Sequence, residues 1–221
     1  MMKRGPKPKG RVDLNWRPEL AYAIGLLTAD GSLSNNGRHI DFTSADLENI
    51  TNFQTCLGLL DIHVGTKRST HNSSILYYRI QFGDVLFYRW LVDIGLSSNK
   101  SLTVGSLQIP DEYFFDFLRG EWDGDGTIYC SPDKRWRSSY IVSLGFASGS
   151  RTFLFWLQVE INKRLQTTGY ISQNERVLQL RYARKDSKKI FDNMFYKTDL
   201  PHLPRKLAKA RKIFTMTGLA E

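Results

Sequence analysis

The chain has 221 residues, 41% of them hydrophobic and 13% aromatic, enough apolar material for one or two packed domains and too much for a disordered chain. Its 31 Lys and Arg against 22 Asp and Glu give a formal net charge of +9, which points to a polyanionic partner, either nucleic acid or an anionic membrane surface. Two cysteines and four scattered histidines exclude a disulfide scaffold and a cysteine-rich zinc module, and no apolar run approaches the length of a membrane span, so the expectation is a soluble intracellular protein, cytoplasmic or nucleoid-associated if bacterial or phage, with an organellar origin as the alternative.

The basic character sits at the two ends. Residues 1–11 hold five bases and no acid, residues 12–180 hold fifteen bases against eighteen acids, and residues 181–221 hold eleven against four. The Lys-, Arg-, Gly- and Pro-rich start reads as a flexible basic arm. An apolar helix follows, Leu20-Ala-Tyr-Ala-Ile-Gly-Leu-Leu-Thr-Ala-Asp-Gly31. Then His39-Ile-Asp-Phe-Thr-Ser44 alternates as a strand does, and a helix is predicted over 47–59, strands over 63–68 and 75–82, and a third helix over 84–93. After a linker, Phe115-Asp-Phe-Leu-Arg-Gly-Glu-Trp-Asp-Gly-Asp-Gly126 repeats the first helical pattern. Gly25 aligns with Gly120, Ala29 with Gly124 and Asp30 with Asp125, an offset of 95 residues. A strand at 143–148, a helix at 152–165, strands at 168–173 and 177–183 and a helix at 186–196 complete the repeat. The Pro201-His-Leu-Pro204 break precedes a last basic helix over 205–214. The reading is an α+β protein of two pseudo-symmetric αββαββα halves. Its parts are an arm at 1–14, halves at 15–95 and 110–200 joined by a linker at 96–109, and a basic helix and tail at 201–221.

The two matched helices carry the chemistry. Gly25 and Ala29, like Gly120 and Gly124, are four apart and line one helix face with small residues, so the two helices can pack backbone to backbone. Each helix ends in Asp-Gly, with Gly31 and Gly126 suited to left-handed caps. Asp30 and Asp125 are then misplaced beside the negative ends of their helices, and parallel packing brings the two like charges together. A divalent cation cancels both penalties, and an all-oxygen donor set without a His or Cys cluster points to Mg²⁺ rather than Zn²⁺. The chemistry that fits is phosphodiester hydrolysis.

At these residues the sequence resembles the LAGLIDADG homing endonucleases. Ala23-Ile-Gly-Leu-Leu-Thr-Ala-Asp-Gly31 resembles the first signature of the two-signature type, and Leu118-Arg-Gly-Glu-Trp-Asp-Gly-Asp-Gly126 the second. The resemblance implies a monomer whose sheets sit as saddles in the DNA major groove and which cuts both strands of a long asymmetric target to leave short 3′ overhangs. It implies Mg²⁺, with Mn²⁺ as a substitute and Ca²⁺ binding without cleavage, held by Asp30, Asp125 and the backbone of Ala29 and Gly124. It further implies a polar residue organising water where the second strand meets the helix, matched by Asp46 and Ser150. A lysine near the end of the fourth strand is matched by Lys185, whereas the first half has Phe82-Gly83-Asp84 there, so the two halves of the implied active site differ.

If the sheets lie in the groove, outward strand side chains read bases. In the first half these are Ser34, Asn36, Arg38, His39, Asp41, Lys67, Arg68, Tyr77 and Arg79. In the second half they are Tyr129, Ser131, Lys134, Arg135, Arg137, Ser139, Gln173, Asn174, Arg176, Gln179 and Arg181. Period-two alternation puts Tyr77 with Arg79, and Gln179 with Arg181, on shared faces. Arg205, Lys206, Lys209, Arg211 and Lys212 are expected to add salt-sensitive phosphate attraction. Two rival readings use the same fold: a maturase that binds intron RNA, and a DNA-binding regulator with a silent active site. Both tolerate loss of the acids, and both acids are present.

Overall fold

The structure, a computed structural model, describes residues 10–68, 76–98, 103–136, 139–174 and 177–219. Helix α1 (Pro18–Asp30) runs into strands β1 (Gly31–Leu33) and β2 (His39–Ser44). Then come α2 (Leu47–Leu57), β3 (Val64–Arg68), β4 (Leu76–Gly83) and α3 (Val85–Asp93). The second half repeats this order with α4 (Phe114–Asp125), β5 (Gly126–Pro132), β6 (Tyr140–Ser148), α5 (Arg151–Leu165), β7 (Gly169–Asn174), β8 (Val177–Ala183) and α6 (Arg184–Met194). A terminal helix α7 (Pro204–Met216) is added to it. Each half holds a four-stranded antiparallel sheet, ordered β1-β2-β4-β3 and β5-β6-β8-β7, so the expected architecture of two pseudo-symmetric halves is present.

Strand alternation decides which face of each sheet is covered. Ile40, Phe42 and Ser44 of β2 are buried against helices, while His39, Asp41 and Thr43 stay on the open face. On β8, Leu178, Leu180 and Tyr182 are buried and Gln179 and Arg181 face outward. Helix α1 has no polar face to speak of, and all residues from Leu20 to Thr28 are buried, as an all-round apolar helix must be. Its partner is α4. A Cβ placed on Gly25 would lie 2.2 Å from the carbonyl oxygen of Phe117, and one on Gly120 would lie 2.0 Å from that of Tyr22. The glycines are therefore what lets the two backbones touch, and the apolar core runs without a break from one half into the other.

Two expectations are corrected here. Gly31 and Gly126 are extended, at φ −84° and −78°, not left-handed, because the chain leaves each helix straight into a strand. Glycine is still required at both, since a Cβ at Gly31 would lie 2.6 Å from the carbonyl of Leu27 and one at Gly126 2.5 Å from Trp122 Cα. The end of the basic arm is packed: the N–H groups of Arg11 and Val12 donate to Asp84 at 2.6 and 3.1 Å, and Val12 is buried. Residues 1–9 of that arm lie outside the described residues. The linker is anchored too, with Val104 and Leu107 in the core and the N–H of Gln108 bonded to the Ile94 carbonyl.

Candidate active site and nucleic-acid interface

Asp30 and Asp125 sit exposed at the C-terminal ends of α1 and α4. The contact of α1 with α4 continues to these ends: a Cβ on Gly124 would lie 2.3 Å from Ala29 Cβ and 3.8 Å from a carboxylate oxygen of Asp30. The Asp30 carboxylate thus reaches the residue next to Asp125. The third acid of this stretch, Asp123, points inward. Its Oδ2 accepts from the Tyr22 hydroxyl and from the N–H of Leu203, both at 2.8 Å, while its Oδ1 is buried with no hydrogen-bond partner among the described residues. Burial pushes its carboxyl up to about 6, against the lowering effects of the Tyr22 bond, Lys206, the Leu203 bond and Arg119.

Helix α7 reaches this point from the far end of the chain. Lys206 Nζ donates to the carbonyls of Trp122 at 2.7 Å, Gly124 at 3.0 Å and Gly126 at 2.8 Å around the end of α4, where the Trp122 carbonyl also accepts the N–H of Gly126. Burial pulls its ammonium down to about 8; Asp123, Asp125 and Asp30 act the other way and Arg205 adds to the fall. The charges of both signature acids therefore bear on one ammonium. Next to it, Arg205 pairs with Asp46, Nε to Oδ1 at 2.7 Å, and this contact is the main reason the Asp46 carboxyl lies below its ordinary range. Asn52 Nδ2 donates to the His202 carbonyl at 2.8 Å. The segment 202–206 thus joins both halves beneath the two acids.

These contacts correct several roles. Lys206 is committed to protein partners instead of lying open to phosphate, whereas Arg205 pairs with Asp46 but keeps a largely exposed side chain. Asp46 precedes α2 without a side-chain capping bond and spends its carboxylate on Arg205. Ser150 is not a water-organising group: it is fully buried, caps α5 by accepting from the N–H of Phe153 at 3.3 Å, and donates to the Val104 carbonyl. Lys185 is exposed in the first turn of α6. Leu180 is level with Gly126 through Phe146, and Ala183 lies three residues further along β8, about 10 Å, so Lys185 begins well away from the acids. The lysine beside the acids is Lys206. Nothing local marks it, because its partners are more than 75 residues away in sequence.

The donor set was tested against a divalent ion on these contacts. Among the described residues no group of three or more His, Cys, Asp or Glu side chains is arranged to hold a metal. Mg²⁺ does not require one, since it keeps several waters and takes one or two carboxylates together with substrate phosphates. The exposed pair Asp30 and Asp125 fits that pattern, and the Ala29 carbonyl lies at the same helix end. The Gly124 carbonyl does not fit as expected, because it already accepts from Lys206.

The open sheet faces carry most of the expected contact residues. Lys67 pairs with Tyr77 across β3 and β4, Arg79 with Thr43, and Asp41 with Gln81, which puts Lys67, Tyr77, Arg79, Asp41 and His39 on one surface. Arg79 and Asp41 form an ion pair there. Arg68 pairs with Leu76 and belongs to the opposite face by register. Ser34 and Asn36 build the β1–β2 turn: Asn36 Oδ1 accepts from the Ser34 hydroxyl and from the N–H groups of Arg38 and His39. Arg38 is exposed beside them.

In the second half Tyr129 and Ser131 share the open face with Gln179 and Arg181, whose guanidinium bonds to Gln179. Gln173 pairs with Leu178 and belongs to the covered-face register; Asn174 has the open-face register. Lys134, Arg135 and the 68% exposed Trp136 form the β5–β6 turn with Ser139, and Arg135 is paired with Asp133. Arg137 and Arg176 lie outside the described residues. Gln81 and Tyr170 belong to the open faces but were missed, although the same alternation would have found them. Lys209 of α7 was placed among the general phosphate contacts; with Thr127, Tyr129, Ser143, Gln179 and Arg181 it lines a depression of about 340 Å³ on the second sheet.

Residues 17–95 match the LAGLIDADG-like domain family. No curated protein matches the sequence. Among solved structures, the homing endonuclease I-WcaI bound to its DNA recognition sequence is similar at 14% identity and a TM-score of 0.61, over 87% of this chain and 85% of that one. The I-LtrWI LAGLIDADG homing endonuclease bound to target DNA is similar at 12% identity and a TM-score of 0.56, over 92% and 93%. Full-length DUF199/WhiA from Thermatoga maritima is similar at 15% identity and a TM-score of 0.57, over 90% of this chain, which spans 63% of that protein's length. Identities this low speak for the fold alone. The chain has the LAGLIDADG-like fold, with both pseudo-symmetric halves in one polypeptide.

Proposed function

We propose that this protein is a site-specific, divalent-metal-dependent endonuclease that acts as a monomer on double-stranded DNA, leaving short 3′ overhangs at a long asymmetric target. The observation that carries the reading is the approach of Asp30 to the end of α4 next to Asp125, two exposed carboxylates from different halves, with the Lys206 ammonium on the carbonyls either side of Asp125. Asp30 and Asp125 would hold a divalent ion, which when bound would supply water activation and charge compensation at the attacked phosphate. The glycine contact of α1 with α4 brings the two helix ends together. The open faces bind the duplex on either side, with Arg79, Lys67 and Arg181 suited to guanine edges and Gln179 and Gln81 to adenine. Lys209 contributes phosphate attraction at the second sheet. The two faces carry different side chains, so the preferred site is asymmetric.

The second reading is a DNA-binding regulator with a silent site. The bond from Lys206 to the Gly124 carbonyl favours it, because an ammonium already occupies a position expected to face metal. Incubation with DNA flanking the gene's own insertion point separates the two. Cutting with Mg²⁺, and binding without cutting in Ca²⁺, supports the nuclease. Tight binding with no cutting in Mg²⁺ or Mn²⁺ overturns it in favour of the regulator.

A further inference from the structure

The end of α4 holds a lysine with all of its donors. Three carbonyls within five residues, Trp122, Gly124 and Gly126, converge on one Nζ at 2.7–3.0 Å. That is the full donor capacity of an ammonium, and the ligands are the hard oxygen donors a divalent cation would also take. The lysine does not get there by chance of a floppy side chain. Leu203 is fixed by its N–H to Asp123, Arg205 by its fork to Asp46, and His202 by its carbonyl to Asn52, so the backbone on both sides of the α7 start is tied down. The aliphatic stem leaves the ammonium 5.7 Å from the Trp122 ring centroid.

We propose that Lys206 is a built-in cation of the two-carboxylate site, which holds the α4 end against loss of metal and limits how strongly Asp30 and Asp125 attract a divalent ion. This rests on the reading that those two acids are the metal ligands. The helix end and the acids are all negative, and without metal their mutual repulsion would push α1 and α4 apart where the glycines bring them together. The ammonium relieves that repulsion permanently, so the paired helices stay assembled whether or not metal is bound. The same charge opposes an incoming divalent ion. For any pair held about 6 Å apart in a water-like medium, the repulsion between a single and a double positive charge corresponds to about a tenfold change in affinity, and more where water is excluded.

The test is a calorimetric titration of the full chain with Ca²⁺, for the wild type, Lys206→Met, Lys206→Arg and Asp30→Asn, each checked for folding by circular dichroism. Lys206→Met is expected to bind Ca²⁺ at least about tenfold more tightly than the wild type, and Lys206→Arg to stay close to it. If Lys206 merely braced the α4 end, its loss would loosen the acids and weaken binding, so unchanged or weaker affinity in Lys206→Met overturns the proposal. Should Lys206→Met fail to fold, Lys206→Gln removes the charge while keeping two donors for the carbonyls, and the same comparison applies. Failure of the underlying reading looks different: the wild type binds Ca²⁺ and Asp30→Asn binds it equally well, or no variant binds Ca²⁺ at all. Binding by Lys206→Met alone supports the proposal and shows that the lysine has taken the metal's place.

Discussion

Gly120→Ala places a methyl group where the backbone of the other signature helix already lies. Its Cβ would be 2.0 Å from the Tyr22 carbonyl oxygen and 3.0 Å from the Leu26 nitrogen, at least 1 Å inside any tolerable approach to the former. Neither neighbour is a side-chain tip that can swing aside, so the two helices must separate. In an unconstrained helix the same change stabilises by about 0.5–1 kcal/mol. Here overpacking costs roughly 1–3 kcal/mol or more, because the interface that is prised open holds backbone against backbone. A net loss of about 1–3 kcal/mol is expected, which for a chain of this size lowers Tm by roughly 2–10 °C. Because Asp30 meets the α4 end through the same contact, cleavage should fall further than stability does, on the order of 10²-fold for a shift of about 1 Å. Thermal unfolding by circular dichroism measures the first effect, with Gly105→Ala, which has open space around it, as the neutral comparison. A Gly120→Ala protein as stable as the wild type would refute the claim that this glycine sets the helix separation.

Asp123 has its carboxyl raised to about 6 chiefly by burial, above the ordinary 3.8. A raised carboxyl contributes stability below its unfolded value and loses it as pH rises through the folded one, so Asp123 should oppose folding by about 2–3 kcal/mol above pH 6. Asp123→Asn keeps the acceptor for Tyr22 and Leu203, and urea titrations from pH 4 to pH 7 should show it gaining stability relative to the wild type as pH rises; a constant difference contradicts the assignment. At the sheet surface, Lys209→Ala should weaken DNA binding evenly across sequences and reduce the salt slope by about one, whereas Arg181→Ala should cost about 1–3 kcal/mol at the preferred site and relax its choice of base. Fluorescence titrations at several salt concentrations distinguish the two patterns.

What the sequence revealed here was what repeats or alternates. The matched Asp-Gly helices, with Gly25 and Gly120 in register, announced the helix pair, and the alternation in His39–Ser44 and Val177–Ala183 announced which side chains share a sheet face. What stayed hidden depends on contacts between distant parts of the chain. Arg205 meets Asp46 across 159 residues and Lys206 meets the end of α4 across about 80, and nothing near either residue distinguishes it from the other bases of an amphipathic helix. Ser150 was legible as a polar residue where a strand meets a helix but not as a buried cap, because its side chain is tied to the linker carbonyl of Val104. The left-handed caps failed for a related reason: Asp-Gly at a helix end suits a reversal of the chain, but here the chain continues straight into β1 and β5.

The central claim is that Asp30 and Asp125 serve one shared site at the meeting of α1 and α4. Strand-resolved cleavage of a duplex labelled at both 5′ ends, in Mg²⁺, tests it most directly for the wild type, Asp30→Asn and Asp125→Asn. The account predicts that either substitution alone abolishes cutting of both strands while leaving DNA binding in place. Full activity in both variants, or loss of only one strand in each, would contradict it.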